Sequence, residues 1–205
     1  VNNADTLVNS YAGAGGINQV IVGFGFKPWN PFSFGCNLKV LYGDITTQSE
    51  ADFSKSKNKN FYHTTLQSNT IDVHDFAVTF GAQYAIETGE DKSLVLGATF
   101  EPKNKLNATA TKTIVTTGID TVTTEYDKAF ELPFTLGFGA SYRFKNKWAF
   151  GVDYKIQKWS DAEYFGEKVF EDRKQLNLGA ELRPNSTSKK YFNRVAYRWG
   201  FSTAN

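Results

Sequence analysis

The amino-acid sequence predicts an all-β fold: a transmembrane antiparallel β-barrel of which about eight strands are present. Apolar and non-apolar residues alternate with a period of two along several long segments, most clearly over residues 130–144. This period gives a strand two chemically different faces. Strands of soluble domains usually end after about five or six residues, whereas a tilted strand needs about nine to eleven to cross a bilayer. Length and alternation together therefore indicate membrane-spanning strands.

The lengths of the connections are the next observation. Short turns are predicted around Pro28, Gly89, Asn146 and Asn185. Long polar connections, rich in Ser, Thr, Lys and Asn, are predicted around Ser56, Thr113 and Glu163. Outer-membrane barrels have short periplasmic turns and long extracellular loops, which assigns the two sets to opposite sides of the membrane. Thr–Val alternation between about residues 102 and 127 predicts that strands extend past the membrane there.

The eight predicted strands follow from where the alternation begins and ends. In seven of them the apolar face takes even positions, within 20–26, 32–42, 76–86, 94–100, 130–144, 148–156 and 176–182. In the eighth the parity changes, and the apolar face consists of Val195, Tyr197, Trp199 and Phe201. Aromatic residues near strand ends are expected in a periplasmic girdle: Trp29, Trp148 and Tyr191.

Composition agrees with this fold and narrows the function. The 205 residues include 18 Phe, 10 Tyr, 4 Trp and 17 Gly, but a single Cys and no Met. A formal net charge of +2 gives no indication of nucleic-acid binding. Cys36 alone forms no disulfide framework, and His63 and His74 lack metal-ligand spacing. No catalytic motif is present, so we expect a non-enzymatic protein without cofactor or metal.

A soluble alternative has to be weighed, because a lipocalin-like barrel or a sandwich also alternates. Its aromatic face would be the core and its other face would meet water. Against this, the non-apolar face carries many glycines, which weaken strands and are poor solvent-facing residues. They are Gly23, Gly25, Gly35, Gly81, Gly97, Gly137, Gly139, Gly151 and Gly179. The membrane barrel is the preferred interpretation, with these glycines leaving room for a plug or ligand at the wall.

Short motifs in the second half of the chain carry a family resemblance. They include Leu132-Pro133, Ser141-Tyr142-Arg143, Gly151-Val152-Asp153-Tyr154, Trp159-Ser160 and the run from Arg194 to Gly200. The sequence resembles the FadL/TodX-type outer-membrane transporters of long-chain fatty acids and hydrophobic compounds, in particular a Bacteroidetes-like branch. The resemblance implies a fourteen-stranded barrel with an N-terminal hatch. Residues 1–205 are then expected to be a single partial barrel domain, without the hatch and the terminal strands.

Charged residues on the non-apolar face are the candidate ligand-binding residues. The six chosen from this face are Lys39, Arg143, Asp153, Lys155, Glu181 and Arg198. A wider set adds Asn37, Gln83, Glu101, Glu131, Gln175, Asn177, Arg183 and Arg194. A basic member suits a carboxylate headgroup, although buried charges more often pair with each other. Pro133 cannot donate to a strand ladder and predicts a bulge or kink.

These observations lead to one function and two alternatives. The expected function is passive uptake of hydrophobic small molecules, such as long-chain fatty acids, through the bacterial outer membrane. The alternatives are a barrel scaffold or shuttle for secreted proteins and a haem-type receptor. The expected partners are outer-membrane lipid and a hydrophobic ligand, with a secretion-system or surface protein under the scaffold alternative.

Overall fold

The chain is almost entirely β-structure. The computed structural model describes residues 7–53, 63–87, 89, 91–184 and 188–205. The strands are β1 (Val8–Trp29), β2 (Phe32–Asp52), β3 (Thr65–Glu87), β4 (Lys92–Glu101), β5 (Asn104–Lys105), β6 (Ala108–Thr116), β7 (Asp120–Asp127), β8 (Glu131–Leu132), β9 (Thr135–Phe144), β10 (Trp148–Gln157), β11 (Arg173–Leu182) and β12 (Tyr197–Ala204). A 3₁₀ turn (Trp159–Asp161) and helix α1 (Tyr191–Arg194) complete the fold. In the described ranges no helix has the length and apolarity needed to span a membrane.

Ten of these strands form one curled antiparallel sheet, and eight of the ten make up its continuous wall, which confirms the predicted fold class. Their order is β1-β2-β3-β4-β9-β10-β11-β12, so each strand pairs with the next strand of the wall along the chain. Such an up-and-down order needs only hairpin connections. The described strands form an open sheet, with β1 and β12 at its two edges.

The hydrogen-bond register carries the two faces through the whole sheet. Val152 pairs with Ala140 and Leu178, whereas its neighbour Gly151 pairs with Ser141 and Gly179. Apolar residues therefore lie beside apolar residues, and glycines beside small residues. We call the two surfaces the apolar face and the glycine face. Large side chains of the apolar face are exposed, including Phe24, Phe26, Phe80, Phe138, Phe150 and Phe201.

The predicted change of parity in the last strand is confirmed. Phe201 pairs with Leu178 on the apolar face, and Gly200 pairs with Gly179 on the glycine face. The prediction that Val195 shares the apolar face of this strand is wrong, because β12 begins only at Tyr197 and Val195 ends the helix α1. The connection before β12 contains this helix and is not the tight turn that was predicted. Asn185 itself lies outside the described residues.

Strand length divides the sheet into two levels. Strands β4, β9, β10 and β11 have 10 residues each, which suffices to cross a bilayer. Strands β1, β2 and β3 have 21 to 23 residues and extend far beyond these. The long polar connection predicted around Ser56, which the polar composition extends from about Asp44 to Thr70, is therefore wrong at both its ends. Polar residues continue the ladder there, as Thr46 pairs with Thr70, while Ser56 lies outside the described residues.

Strand β3 changes its partner between the two levels. Its end from Phe80 to Glu87 pairs with β4, and its beginning from Thr65 to Val73 pairs with β6. Strands β6 and β7 form a hairpin, which confirms that strands extend past the bilayer level near residues 102–127. We call the upper parts of β1, β2 and β3, together with β6 and β7, the extension.

The strand predicted over residues 130–144 is shorter than expected. Strand β9 begins at Thr135, and Pro133 separates it from Glu131–Leu132, which pairs with Asn104–Lys105 in a separate two-stranded sheet. Proline lacks the N–H that a ladder position requires, so the break falls at Pro133. The apolar alternation continues through the break because Phe130 and Leu132 are also apolar. They pack against a buried cluster and do not belong to the apolar face of β9.

Candidate functional site

The glycine face holds a groove of about 740 Å³. Its lining is mostly small or apolar, which suits a ligand that presents few hydrogen-bonding groups. Residues of this face that line it are Gly25, Lys27, Ser33, Gly35, Gly81, Gln83, Gly97, Thr99, Gly137, Gly139, Asp153, Lys155 and Asn177. The groove therefore crosses strands β1, β2, β3, β4, β9, β10 and β11. With strands about 4.8 Å apart, it is an elongated trough along the wall.

Glycines form a continuous stripe along the floor of this face. Each of the eight strands contributes one, in the order Gly25, Gly35, Gly81, Gly97, Gly139, Gly151, Gly179 and Gly200. Most neighbours in the series are directly paired. The steps from Gly81 to Gly97 and from Gly139 to Gly151 shift by two residues along the strand. The backbone is therefore bare across the whole sheet, and a ligand can approach it closely.

Two of the glycines are also required by their neighbours. A Cβ atom at Gly137 would collide with Thr99 Oγ1, and one at Gly139 would lie 2.5 Å from Asp153 Oδ1. The side chains of Thr99 and Asp153 therefore lie flat across the next strand. By contrast, the space above Gly151 and Gly179 is open. Glycine at 137 and 139 thus decides where the groove's polar groups lie.

Two of the six candidate residues, Asp153 and Lys155, line the groove. Lys155 is flanked by Gly137 and Gln175, and Asp153 by Gly139 and Asn177. Across the part of the chain that the structure describes, neither forms an ion pair. Their charged groups, like that of Lys27 in the same lining, therefore remain available to a ligand.

Three further candidates lie toward the short-turn end of the same face. Glu181 Oε2 accepts a hydrogen bond from Arg198 Nε at 2.6 Å, and Glu181 Oε1 accepts one from Arg183 Nη2 at 2.7 Å. Arg143 lines a smaller pocket of about 400 Å³ beside them. Arg194, in the wider set, was wrongly expected on this face, because it lies in helix α1 outside the sheet.

Lys39 lies at the other end of the groove and is already paired. Its Nζ lies 2.8 Å from Glu101 Oε2, which also accepts a hydrogen bond from Thr79 Oγ1 at 3.3 Å. Both charged side chains are about four-fifths buried. A buried charge that has a partner is costly to separate from it. This geometry favours the interpretation that Lys39 stabilises the wall.

A packed cap, which the sequence did not predict, covers the glycine face above Lys39. It consists of a platform, residues 102–107 and 128–134, and of the 158–172 loop. Its buried residues Leu106 and Ala129 pack against buried apolar residues on the inner side of β2, β3 and β6: Leu41, Ile71, Val73, Ala77, Ala108 and Ala110. Aromatic rings of the loop complete it, with Tyr164 contacting Phe130 and Phe170. Four aromatic residues between 159 and 170 of an otherwise polar loop were the available signal.

Glu131 is the central polar residue of the cap. Its side chain is 5% exposed and lies 2.7 Å from Lys103 Nζ. Burial raises the pKa of this carboxyl, but the Lys103 hydrogen bond, the Glu163 N–H and the charge of Lys105 together lower it below its usual value. Glu131 was expected to face an open lumen, yet it joins the platform to the loop.

The base of the 158–172 loop has its own fastening. Lys158 Nζ donates to Asp172 Oδ2 at 2.6 Å, and Ser160 donates to Asp172 Oδ1 through Oγ at 2.7 Å and N at 3.2 Å. These bonds from Lys158 and Ser160 lower the pKa of Asp172 to about 2. The loop therefore leaves and re-enters the sheet at one fixed point.

The two histidines do not form a metal site. His74 Nδ1 lies 2.7 Å from Asp72 on the outside of the extension, and His63 Nδ1 contacts the Thr117 carbonyl. Within the described ranges there is no group of three or more His, Cys, Asp or Glu side chains that could hold a metal ion. Cys36 is free and lies on the apolar face, beside Phe80.

The curled antiparallel sheet, with its exposed apolar face and the groove on its other face, has the architecture of part of a β-barrel wall. A family model described as BamG matches residues 1–205, and the chain belongs to the BamG family. No curated protein matches it.

Two solved structures share the fold. The Ralstonia pickettii toluene transporter TbuX aligns with a TM-score of 0.66 and 14% identity, over 94% of this chain and 56% of that one. A TodX deltaS2S3 mutant, a monoaromatic hydrocarbon channel, aligns with a TM-score of 0.60 and 16% identity, over 92% and 54%. The chain thus spans about half the length of the structures it matches.

Proposed function

We propose that the chain forms part of the wall of an outer-membrane channel for hydrophobic small molecules. The observation that carries the proposal is the glycine-floored groove, placed directly behind an exposed apolar face. Contiguous apolar surface of this extent indicates contact with a membrane, and the strand lengths fit one. The structural neighbours, described as a toluene transporter and a hydrocarbon channel, support the same class of substrate. Long-chain fatty acids are one substrate within this class.

The proposed route follows from the residues of the glycine face. A hydrophobic ligand lies in the groove against bare backbone, where its apolar surface leaves water. Asp153 and Lys155 then act on any polar group that the ligand carries, because both charges lack a partner among the described residues. A carboxylate end would contact Lys155.

A pair of leucine substitutions in the full-length protein tests the groove. A Cβ atom at position 97 would have its nearest neighbours 3.9 Å away, so Gly97→Leu can place an apolar side chain in the groove. Gly179→Leu is the matched control, since it lies on the same face, outside the groove lining, in open space. We expect Gly97→Leu to lower uptake of a radiolabelled hydrophobic substrate by intact cells about tenfold, and Gly179→Leu to change it less than twofold.

The extension favours a second candidate function, a scaffold for a protein partner. Its outer face is a broad polar sheet on the side away from the cap. In the described parts of its strands, the charged residues of this face are acidic apart from His74: Asp44, Glu50, Asp52, Asp72, Glu125 and Asp127. The same experiment separates the two functions. If Gly97→Leu leaves function intact while Asp72→Lys with Glu125→Lys abolishes it, the scaffold is supported and the channel is contradicted.

A further inference from the structure

The cap reaches from one side of the wall to another. The 158–172 loop connects β10 and β11, yet its Tyr164 packs against the buried cluster that includes Leu41 of β2 and interacts with Thr47 of the same strand. Strands β3, β4 and β9 separate β2 from β10 in the sheet. The loop therefore crosses the concave side of the sheet instead of pointing away from it. It lies at the end of the glycine face that the extension surrounds, above the groove.

The tip of the loop is held by a small number of contacts. Glu131 N donates to the Glu163 carbonyl at 3.0 Å, and Phe165 N donates to the Ala129 carbonyl at 2.8 Å. Lys105 Nζ donates to Glu163 Oε2 at 3.1 Å, and the Lys105 side chain is 48% exposed. Exposed ion pairs of this kind contribute little to stability. The backbone turns back at Phe165 and Gly166, which have φ angles of 53° and 79°.

The base and the tip are held by different partners. At the base, Asp172 accepts three hydrogen bonds from Lys158 and Ser160. Trp159 packs there against Phe170. The loop thus has a base closed by contacts within the loop itself. Its tip is fastened to the rest of the molecule by the bridge to Phe130, the bond from Glu163 N to Glu131, one exposed ion pair and the ring contacts of Tyr164 and Phe165. Such an element can lift as a unit, because its internal contacts are retained when its tip contacts break.

We propose that the 158–172 loop is a gate at the extracellular mouth of the barrel. In the closed state described above, Tyr164 and Phe165 cover the platform and the upper glycine face. A ligand reaches the groove when the tip separates from Phe130 and Thr47 and the loop swings on its base. The gate rests on the proposed function, because a channel is what it would open and close. Its opening and closure can nevertheless be measured without any substrate.

Thiol labelling of the full-length protein in intact cells measures the opening. Ala129, which is buried next to the loop tip, is replaced by Cys in a Cys36→Ala background. A large membrane-impermeant maleimide then reports the fraction of time for which the tip is open. We expect slow labelling, accelerated about tenfold by Glu163→Gln with Tyr164→Phe, because one hydrogen bond and one exposed ion pair are lost.

Two controls accompany this measurement. Lys168→Gln removes a longer pair on the same loop, 4.0 Å from Asp161, and is expected to leave the labelling rate unchanged. Thr111→Cys, on the outer face of the extension, should label rapidly in every background. Heat-modified mobility on a gel shows that each variant is folded. If Ala129→Cys is fully protected in all backgrounds, the loop is a static plug; if it labels as fast as Thr111→Cys, the mouth is open. Either result overturns the gate.

A disulfide lock provides the second measurement. Phe130 and Tyr164 form an isolated antiparallel bridge whose flanking bonds make it a non-hydrogen-bonded pair. Cα atoms in such a pair are about 4.5 Å apart, within the range that a disulfide spans. We expect oxidation of the Phe130→Cys/Tyr164→Cys protein to lower its uptake of a hydrophobic substrate at least about fivefold, and reduction to restore that uptake. Equal uptake in both redox states contradicts the gate. Absent uptake in the unmodified protein, with labelling as expected, supports the gate and overturns the channel.

Discussion

Pairing of charges determines which residues of the glycine face remain available. Lys39 is bound to Glu101, and Glu181 is bound to both Arg183 and Arg198. The Lys39–Glu101 pair is about four-fifths buried and stabilises the wall. Arg183 and Arg198 are more than half exposed, so their pairs with Glu181 contribute little to stability but leave its carboxylate occupied. Asp153 and Lys155 differ because glycine occupies the neighbouring position on β9, so no side chain from that strand reaches them. They are the residues through which the groove can select a polar end group.

The Asp172 fastening gives a prediction about acid. Its pKa is about 2, below the ordinary value of 3.8, because Lys158 and Ser160 donate to the ionised form. A depressed folded-state pKa means that this stabilisation is present above about pH 4 and is lost as the pH falls through 2. We therefore expect the fluorescence of a reporter at the loop base to stay constant from pH 7 to 4 and to change below pH 3.

The matched control is Asp172→Asn, which has no carboxyl to titrate. Its reporter signal should already differ at neutral pH and should show no further transition between pH 4 and 2. A wild-type transition centred near pH 4 or above would show that the Lys158 and Ser160 bonds are absent in solution.

Strand length is the property that organises the elements. Ten-residue strands form the lower wall, and the strands that exceed twenty residues carry the extension that surrounds the cap. The change of partner along β3, from β4 to β6, separates these levels. Where β4 leaves the wall after Glu101, the chain turns inward and builds the platform. One irregularity in the ladder thus produces the cap.

Two alternative lysine substitutions in β10 test which face of the sheet contacts lipid. Val152 and Gly151 are adjacent near the middle of this strand, on the apolar face and the glycine face respectively. Val152→Lys should destabilise the full-length protein by about 2–4 kcal/mol in lipid vesicles, the cost of lysine near the bilayer midplane. Gly151→Lys, in open space, should cost less than about 1 kcal/mol. Equilibrium unfolding in urea measures both, and equal costs would contradict the assignment of the faces.

Much of the sheet could be predicted from the sequence, because a period of two is a local property. The parity change before Tyr197 and the strands near Thr113 were both correct for this reason. The cap was not predictable in the same way. Its contacts join Glu131 to Lys103 and Glu163, and Tyr164 to Thr47, and no local pattern reports pairs so far apart in sequence. The alternating pattern also hid the cap, because Phe130 and Leu132 have the same parity as the apolar residues of β9 although they do not belong to that strand.

The sequence predicted which face of the sheet carries the candidate site, but not where on that face the site lies. Residue parity placed Asp153, Lys155, Arg143, Glu181, Arg198 and Lys39 together, and the register agrees. Which of them line a groove depends on the neighbours across each strand, and these follow from register. Their roles toward a ligand remain a proposal.

At the scale of the whole molecule, we propose that the apolar surface of the sheet faces lipid and that the glycine surface, with its groove and the cap above it, faces inward. The most direct test places a fluorophore on single cysteines along 148–157 and 197–204 in the full-length protein, in Cys36→Ala background, and measures quenching by brominated lipids.

We expect strong quenching of a fluorophore at positions 150, 152 and 154 and weak quenching at positions 149, 151 and 153. In β12 the phase should be reversed, with strong quenching at Trp199 and Phe201 and weak quenching at Gly200 and Ser202. Uniform quenching along both strands, or the same parity in each, would contradict the assignment of the apolar surface to lipid.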